Sequence, residues 1–277
     1  MQRTLRRRTE SIDVNQHLSG RRMSAIVLAA GKGSRMQSPL PKPLQLLDGQ
    51  PMTGYVIKAL EGLGVERLII VVGHQGSRVR DALLQTTNDP SGLEFAEQKV
   101  QNGTAQAVAV ALQLLDPNDL EADDNNVMVL PGDMPLLTTC TLAELKELHF
   151  ASGAAATVLT AEFTDPSGYG RVVRDEQGQI KRIVEHADAL PEELTIGEVN
   201  TSVYCFKSGL LSSALRDVGS ANAQSEYYLT DVIELLTTSG NDVLAVTVDD
   251  SDEVRGVNDS QQLAECELLL RNRSDVK

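Results

Sequence analysis

The residues best suited to chemistry lie in one loop near the N-terminus. Residues 26–44 read IVLAAGKGSRMQSPLPKPL, an apolar run followed by glycines, an arginine, and a lysine between two prolines. Gly31 and Gly33 would let the main chain approach a ligand closely and offer it N–H groups. Arg35 adds a permanent forked cation, and Lys42 adds a second positive charge. This combination predicts a cradle for a polyphosphate.

The loop does not match the established phosphate-binding patterns. It contains neither GxxxxGK[ST] nor GxGxxG, and glycines after a strand occur in many tight turns. An anionic ligand would still need such a local group of cations, because the 277-residue chain carries a formal net charge of -14 at pH 7. The same acidity argues against a general affinity for nucleic acid or anionic membranes, which both need clustered Lys and Arg.

The elements around this loop follow the pattern of a parallel sheet with helices. The runs AIVLAA, RLIIVVG and NVMVLPGD are continuously apolar, as strands buried on both faces of a parallel sheet are. Val56, Leu60 and Leu63 recur at helical spacing, and GTAQAVAVALQLL is rich in alanine. We therefore expect β-α-β-α-β-α-β in the first half, with ligands beyond the carboxyl ends of the strands.

The second half changes character. The segment RVVRDEQGQIKRIVE predicts two short strands around a turn at Gly178, and VNTSVYCF predicts another strand. The segments YYLTDVIELLTTSG and DSQQLAECELLLRN predict two closing helices. We expect a small lobe, inserted in the sheet or appended to it. No hexapeptide periodicity follows the last helix, so a left-handed β-helix is not expected before Lys277.

The N-terminal tail differs from the body of the chain. Its 22 residues hold six arginines against one glutamate and one aspartate, a net charge of +4, and they have no apolar signal region. A disordered tail, or an upstream start before Met23, is favoured over a basic binding arm or a transit peptide. The three cysteines and four histidines are scattered, which favours reduced thiols in a cytoplasmic protein without a His/Cys metal site.

Nine motifs in order resemble the sugar nucleotidyltransferase family. They are LAAGKGSRM, LPKPL, AEQKVQNGTAQAV, LPGDMPLL, DPSGYGRVV, IVEHADA, EVNTSVY, EYYLTDVI and EVRGVND, and the resemblance as a whole spans about residues 24–272. The set is similar to the uridylyltransferase domain of bacterial UDP-N-acetylglucosamine pyrophosphorylases. The resemblance implies an α/β, Rossmann-like (GT-A-like) fold with a mixed, mainly parallel sheet flanked by helices. It also implies a nucleotide-binding half, about residues 23–150, and a sugar-binding β lobe with closing helices, about residues 151–277.

The resemblance also implies the site residues. The catalytic residues would be Arg35, Lys42 and Asp133, and Mg²⁺ would be held by Asp133 and Asn258. The nucleotide would be bound by Leu28, Ala29, Ala30, Gly31, Gly33, Lys42, Gln98, Gly103 and Thr104. The sugar would be bound by Gly170, Glu185, Asn200 and Asn258.

Plain alternatives exist for several of these residues. Thr104 would suit the cap of a helix, Glu185 an exposed hairpin carboxylate and Asn258 an ordinary Asx turn. Asn102 stands where the family usually has leucine, which could loosen base selection. Tyr227 and Tyr228 are interpreted as packing anchors of a helix.

The implied reaction joins UTP and N-acetylglucosamine 1-phosphate, giving UDP-N-acetylglucosamine and pyrophosphate. Two alternatives stay open: a related enzyme for glucose 1-phosphate or another nucleotide, and a non-catalytic sensor of nucleotide sugars. GDMP also occurs in the cytidylyltransferase that matures molybdopterin, but that resemblance lacks GYGR, IVEH and VNT. Acetyl transfer by a β-helix domain is not expected, and the sequence does not predict the oligomeric state.

Overall fold

In the computed structural model, which describes residues 20–122 and 124–275, a nine-stranded sheet forms the centre of the fold. In chain order the strands, including a separate two-stranded hairpin of β2 and β3, are β1 (Arg22–Ala29), β2 (Leu46–Leu47), β3 (Gln50–Pro51), β4 (Arg67–Val72), β5 (Leu93–Glu97), β6 (Asn125–Pro131), β7 (Ala156–Glu162), β8 (Gly170–Arg174), β9 (Ile180–Val184), β10 (Glu198–Lys207) and β11 (Val243–Thr247).

Eight α-helices accompany these strands within the described ranges. They are α1 (Met52–Ala59), α2 (Gly76–Thr86), α3 (Thr104–Leu112), α4 (Pro117–Glu121), α5 (Thr139–Ser152), α6 (Ser208–Ala214), α7 (Asp231–Thr238) and α8 (Ser260–Asp275). None of them combines the length and the apolar character that spanning a bilayer requires.

The sheet is mixed. Its order is β11-β7-β10-β6-β1-β4-β5, with β8 paired to β10 and β9 paired to β8. Strands β1, β4, β5 and β6 are parallel to one another, whereas β10 runs antiparallel between β6 and β7. Strand β11 is again parallel to β7. The predicted α/β fold, with a mixed sheet flanked by helices, is confirmed.

The unbroken apolar runs are explained by burial on both faces of the sheet. In β1, Ile26 packs into a cluster on one face, with α3, α6 and α7, while Val27 packs with α1, α2 and α5 on the other face. Both side chains are fully buried. Burying an aliphatic side chain of this size stabilises the folded state by about 1.5–3 kcal/mol. The central part of a strand between two helical layers therefore favours apolar residues at successive positions.

Strand directions bring both halves of the chain to one edge of the sheet. The parallel strands β1, β4 and β6 end there, and antiparallel β10 begins there because its Tyr204 pairs with Val129 of β6. Strand β8 also begins at this edge, where Gly170 pairs with Asn200 of β10. The predicted turn at Gly178, with φ 81°, joins β8 to β9. Strands from both predicted halves, which meet at about residue 150, belong to the same sheet.

The predicted N-terminal tail lies mostly outside the described residues, which exclude residues 1–19. At its end, Arg22 begins β1, and the Arg21 guanidinium donates a hydrogen bond to the carbonyl of Phe150. All three cysteines are free thiols. Cys205 and Cys266 are buried, and Cys140 is exposed.

Candidate active site

The glycine-rich loop after β1 folds back onto Lys42. Leu28 and Ala29 end β1, and Ala30 and Gly31 lead into the loop. Gly33 adopts φ 62°, and a Cβ at this position would lie only 2.6 Å from Cβ of Lys42. A side chain at residue 33 would therefore push the lysine away. Glycine is therefore required at position 33 for two reasons: the positive φ and the close approach of Lys42.

Four polar side chains meet beyond the ends of β1 and β6. The Lys42 ammonium donates to the carboxylate of Asp133, and Lys42 Nζ lies 2.8 Å from Oδ1 of Asn258. One guanidinium nitrogen of Arg35 lies 3.2 Å from the same Asn258 oxygen. We call Arg35, Lys42, Asp133 and Asn258 the polar quartet. The structure thus brings together all four residues that the sequence predicts for charge neutralisation and metal binding.

Asp133 is held at the edge by its main-chain neighbours. The N–H of Gly132 donates to the carbonyl of Leu28 at 2.9 Å, which ties the end of β6 to β1. The hydroxyl of Thr53 in α1 donates to the carbonyl of Gly132 at 2.8 Å. A side chain at residue 132 would crowd this arrangement, because its Cβ would lie 3.0 Å from the Leu28 carbonyl oxygen. The carboxylate that follows therefore emerges at a fixed place.

Asn258 is positioned by the N-terminal turn of α8. Its main-chain N–H donates to Oε1 of Gln262 at 2.7 Å. The Gln262 N–H in turn donates to the Asp259 carboxylate at 2.9 Å. Gln262 is a site residue that sequence reasoning missed. The available signal was an acidic residue followed three positions later by a glutamine, which is typical of a helix N-terminus.

Asp133 and Asn258 present the oxygen ligands that a hard cation such as Mg²⁺ prefers. Within the described part of the chain, no group of three or more His, Cys, Asp or Glu side chains could hold a metal. A divalent cation here would rest on one carboxylate and one amide oxygen. Its remaining ligands would come from water and from a ligand such as phosphate. That the ammonium of Lys42 already bonds both oxygens shows that a cation fits between them.

Gln98 lies immediately after β5 and is almost fully buried. Its main-chain N–H donates to the carbonyl of Val72, and its side-chain NH₂ donates to the carbonyl of Gly103 at 3.0 Å and to Gln106. Only 3% of the residue is exposed. Gln98 therefore shapes the loop that leads into α3.

A second glutamine, Gln101, was missed by sequence reasoning. Its side-chain NH₂ donates to the carbonyl of Gln98, and it covers Gly73 at the end of β4. A Cβ on Gly73 would lie 2.7 Å from that nitrogen and 2.8 Å from the carbonyl oxygen of Ala30. Gln101 therefore stands next to the first predicted loop, whereas the sequence shows only a polar residue in an irregular segment.

Gly103 and Thr104 contact the segment 227–229 from the second half of the chain. The Tyr227 N–H donates to the carbonyl of Asn102, and its own carbonyl accepts from the N–H of Ala105. The hydroxyl of Thr104 accepts from the N–H of Leu229 at 2.9 Å. Thr104 is thus the first residue of α3 rather than its side-chain cap, and its hydroxyl joins the two halves. Both tyrosines precede α7, and Tyr228 is buried while Tyr227 is more exposed.

The predicted sugar residues form a second group along the same edge. Gly170 pairs with Asn200 between β8 and β10, and Asn200 Oδ1 accepts from the N–H of Ser202 at 3.1 Å. Ser202 adopts φ 63° where the register of β10 shifts. Glu185 follows β9 and accepts a hydrogen bond from the Thr230 hydroxyl at 3.0 Å.

Glu185 is partly buried rather than an exposed hairpin carboxylate. Burial raises its pKa above the ordinary value, and nearby Asp231 and Asp188 add to this effect, while the bond from Thr230 opposes it. Burial raises the pKa of the Tyr169 hydroxyl, beside Gly170, above its ordinary value, and the main chain of Gly256 opposes this shift. Tyr169 therefore lies near the segment that carries Asn258.

Comparison with known proteins gives results for family and for fold. A sequence profile described as nucleotidyl transferase matches residues 24–254. The bifunctional protein GlmU of Trichlorobacter lovleyi is 44% identical over 254 residues, 92% of this chain and 53% of that protein. The GlmU protein of Lactococcus lactis is 43% identical over 249 residues, 90% of this chain and 52% of that protein. The chain spans about half the length of these curated relatives.

A solved structure of a glucose-1-phosphate thymidylyltransferase candidate from Bacillus anthracis, in complex with sucrose, has a similar fold. It aligns with a TM-score of 0.70 and covers 90% of this chain and 95% of that chain. The two sequences are 20% identical, so this likeness bears on the fold alone.

Proposed function

The chain belongs to the nucleotidyl transferase family, and from this premise we propose that it is a uridylyltransferase that forms UDP-N-acetylglucosamine. The substrates would be UTP and N-acetylglucosamine 1-phosphate, and pyrophosphate would be released. The observation that carries the proposal is the polar quartet, in which two cationic side chains meet two side chains with acceptor oxygens beyond the ends of β1 and β6. The ordered motifs and the similarity to GlmU proteins support the choice of substrates.

The reaction needs charge neutralisation and positioning more than acid–base catalysis. A phosphate oxygen of the sugar phosphate attacks the α-phosphorus of UTP. The new P–O bond forms as the bond to the departing pyrophosphate breaks. Because the attacking oxygen is already an anion, no side chain has to remove a proton. Holding two reactants in line can supply about 7–11 kcal/mol of the barrier reduction.

Arg35 and Lys42 have the chemistry for this task. Both are cations in a region where the substrates bring several negative charges, and they lie on the loop that follows β1. Arg35 can bind phosphate oxygens with two parallel hydrogen bonds, while Lys42 acts as a compact charge on a flexible stem. In our proposal they bind the phosphates, orient the α-phosphorus and stabilise the negative charge that develops on pyrophosphate.

Asp133 and Asn258 would hold Mg²⁺. One carboxylate and one amide oxygen fit a metal that completes its shell with water and phosphate oxygens. When bound, Mg²⁺ would stabilise negative charge on the phosphate oxygens and so lower the barrier to the release of pyrophosphate.

The remaining predicted residues would serve recognition. The main chain of Leu28, Ala29, Ala30, Gly31 and Gly33 would face the nucleotide, and Gln98 with Gly103 would shape the base pocket beside Gln101. Thr104 would act indirectly, because its hydroxyl already bonds Leu229. Gly170, Glu185 and Asn200 would contact the sugar, with Glu185 accepting from a sugar hydroxyl.

A substrate panel tests the proposal directly. Pyrophosphate release would be measured for UTP, CTP and dTTP, each with N-acetylglucosamine 1-phosphate, glucosamine 1-phosphate and glucose 1-phosphate, with and without Mg²⁺. We expect the highest kcat/KM for UTP with N-acetylglucosamine 1-phosphate, and only with the metal. A higher value for another pair would identify a different nucleotidyltransferase. Binding of UDP-N-acetylglucosamine without any turnover would indicate a sensor. In our proposal the enzyme works in the cytoplasm.

A further inference from the structure

The ammonium of Lys42 occupies the position between the two proposed metal ligands. It donates to the Asp133 carboxylate and lies 2.8 Å from Oδ1 of Asn258, and Arg35 shares that amide oxygen at 3.2 Å. Asn258 Oδ1 and one of the two Asp133 carboxylate oxygens, Oδ2, are therefore already bonded to side-chain cations. The lysine and aspartate side chains are only 15% and 24% exposed. Solvent screening, which makes exposed ion pairs weak, is reduced here.

A divalent metal and this ammonium cannot both bind Asp133 Oδ2 and Asn258 Oδ1 at the same time. Mg²⁺ binds its oxygen ligands at about 2.0–2.1 Å and needs their lone pairs directed at it. An ammonium bonded to the same oxygens would lie within a few ångströms of the metal, where like charges repel strongly. Metal binding therefore requires Lys42 Nζ to leave.

The backbone of Lys42 stays in place while its side chain can move. The residue lies between Pro41 and Pro43 in a tight turn, and both prolines restrict the main chain. Its Cβ is packed against Gly33. The four-carbon stem beyond Cβ remains rotatable, so the ammonium can reach another acceptor on the same edge of the sheet. The triphosphate of a nucleotide is such an acceptor.

We propose that, without nucleotide, the ammonium of Lys42 holds the position between Asp133 and Asn258, and that a divalent metal enters only together with a nucleotide. The phosphates draw the ammonium away from Asp133 and Asn258, and the metal that accompanies the phosphates takes its place. Free metal therefore binds weakly in the absence of nucleotide, and the metal–nucleotide complex is the species that the site accepts. This inference rests on the proposed function, because it uses the same two oxygen ligands.

Binding of Mn²⁺ alone, read by the electron paramagnetic resonance signal of the free ion, tests this without turnover. We expect at least tenfold tighter binding to Lys42→Met than to the wild-type protein in the absence of nucleotide. Methionine keeps the unbranched stem and removes the charge. Lys32→Met is the matched control, because Lys32 is an exposed lysine of the same loop, and it should bind Mn²⁺ as the wild type does.

Two further arms keep the test decisive. In the Lys42→Met, Asp133→Asn double variant the gain should disappear; if it persists, the bound Mn²⁺ lies elsewhere and the inference fails. The second arm uses only the wild-type protein and measures Mn²⁺ binding in the presence of a non-cleavable methylene analogue of UTP. We expect binding at least tenfold tighter than the affinities of the protein and of the analogue, each measured separately, predict together. This arm does not depend on the folding of any variant.

The result that overturns the inference is equal Mn²⁺ affinity of the wild type and Lys42→Met without nucleotide, or a wild-type affinity that the analogue does not raise. Either result leaves the proposed reaction untouched if the substrate panel still shows metal-dependent turnover. Conversely, an absence of turnover in that panel refutes the proposed function even when Lys42→Met binds Mn²⁺ tightly.

Discussion

The carbonyl oxygen of Asp133 accepts a hydrogen bond from the main-chain N–H of Val257 at 2.9 Å. This contact joins the end of β6 to the segment before α8, two parts of the chain that are far apart in sequence. It places Asn258 beside the Asp133 carboxylate, so that one lysine reaches both side chains. The C-terminal segment therefore completes the polar quartet, whose other three residues all belong to the first half of the chain.

Gln262 should matter through Asn258. We expect Gln262→Ala to lower kcat about tenfold, because the variant removes the acceptor of the Asn258 N–H and frees the residue to move. The Mg²⁺ concentration for half-maximal activity should rise, while thermal unfolding changes little.

The neighbouring Gln261 offers the control. It is exposed and bonds only Glu265 of its own helix among the hydrogen bonds described, so Gln261→Ala should keep full activity. Equal activity of both alanine variants at all Mg²⁺ concentrations would show that Gln262 does not position the asparagine.

Removing either charge of the central pair should abolish most of the activity. We expect Lys42→Ala and Asp133→Ala each to lower kcat by roughly 10²–10³, the size measured when one group that stabilises transition-state charge is lost. Both side chains lie at the edge of the sheet, so circular dichroism should show an intact fold. Lys32→Ala in the same loop serves as the control. Near-wild-type turnover of either charge variant would refute the assignment of the catalytic residues.

Gly103 is required by its backbone conformation and by a close approach. It adopts φ 105° and ψ 173°, a region that residues with a side chain rarely enter. An added Cβ would lie 2.3 Å from the carbonyl oxygen of Tyr227. We expect Gly103→Ala to lower the free energy of unfolding in urea by about 1–3 kcal/mol and to raise the KM for UTP.

Gly92 provides the matched control for this substitution. It precedes β5, has no atom within 4 Å of an added Cβ and does not adopt a positive φ. Gly92→Ala should therefore leave both stability and the KM for UTP nearly unchanged. If Gly103→Ala behaved in the same way, the contact between the loop and the segment 227–229 would not be important.

The sheet could be predicted from the sequence, because strands buried on both faces need unbroken apolar runs, such as residues 25–29 of β1, 68–72 of β4 and 127–130 of β6. The individual site residues came from motif resemblance. What neither source contained was their pairing: the contact of Lys42 with Asn258 depends on strand order and on where α8 begins. Gln101 and Gln262 escaped notice for the same reason, since a glutamine acquires a role only from the tertiary contacts that surround it.

A buried histidine makes the stability of the fold dependent on pH. His149 in α5 is 1% exposed, with Nδ1 2.9 Å from Thr157 Oγ1 and Nε2 3.0 Å from Asn126 Oδ1. The Asn126 NH₂ donates to two main-chain carbonyls, so its Oδ1 must accept from Nε2–H, and Nδ1 accepts from the threonine hydroxyl. Burial, with Arg21 and Lys207 nearby, lowers the pKa of His149 to about 4.

Since the unfolded chain protonates this histidine near pH 6.5, the free energy of unfolding should fall as pH decreases from about 6.5 to 4. One such group changes the free energy of unfolding by about 3 kcal/mol over that interval and causes no further change above pH 6.5. Urea unfolding of His149→Gln should show lower stability at pH 7.5 but a flatter decline towards pH 4. His186→Gln, which removes an exposed histidine, should follow the wild-type curve. Parallel curves for the wild type and His149→Gln across this range would show that His149 does not cause the acid sensitivity.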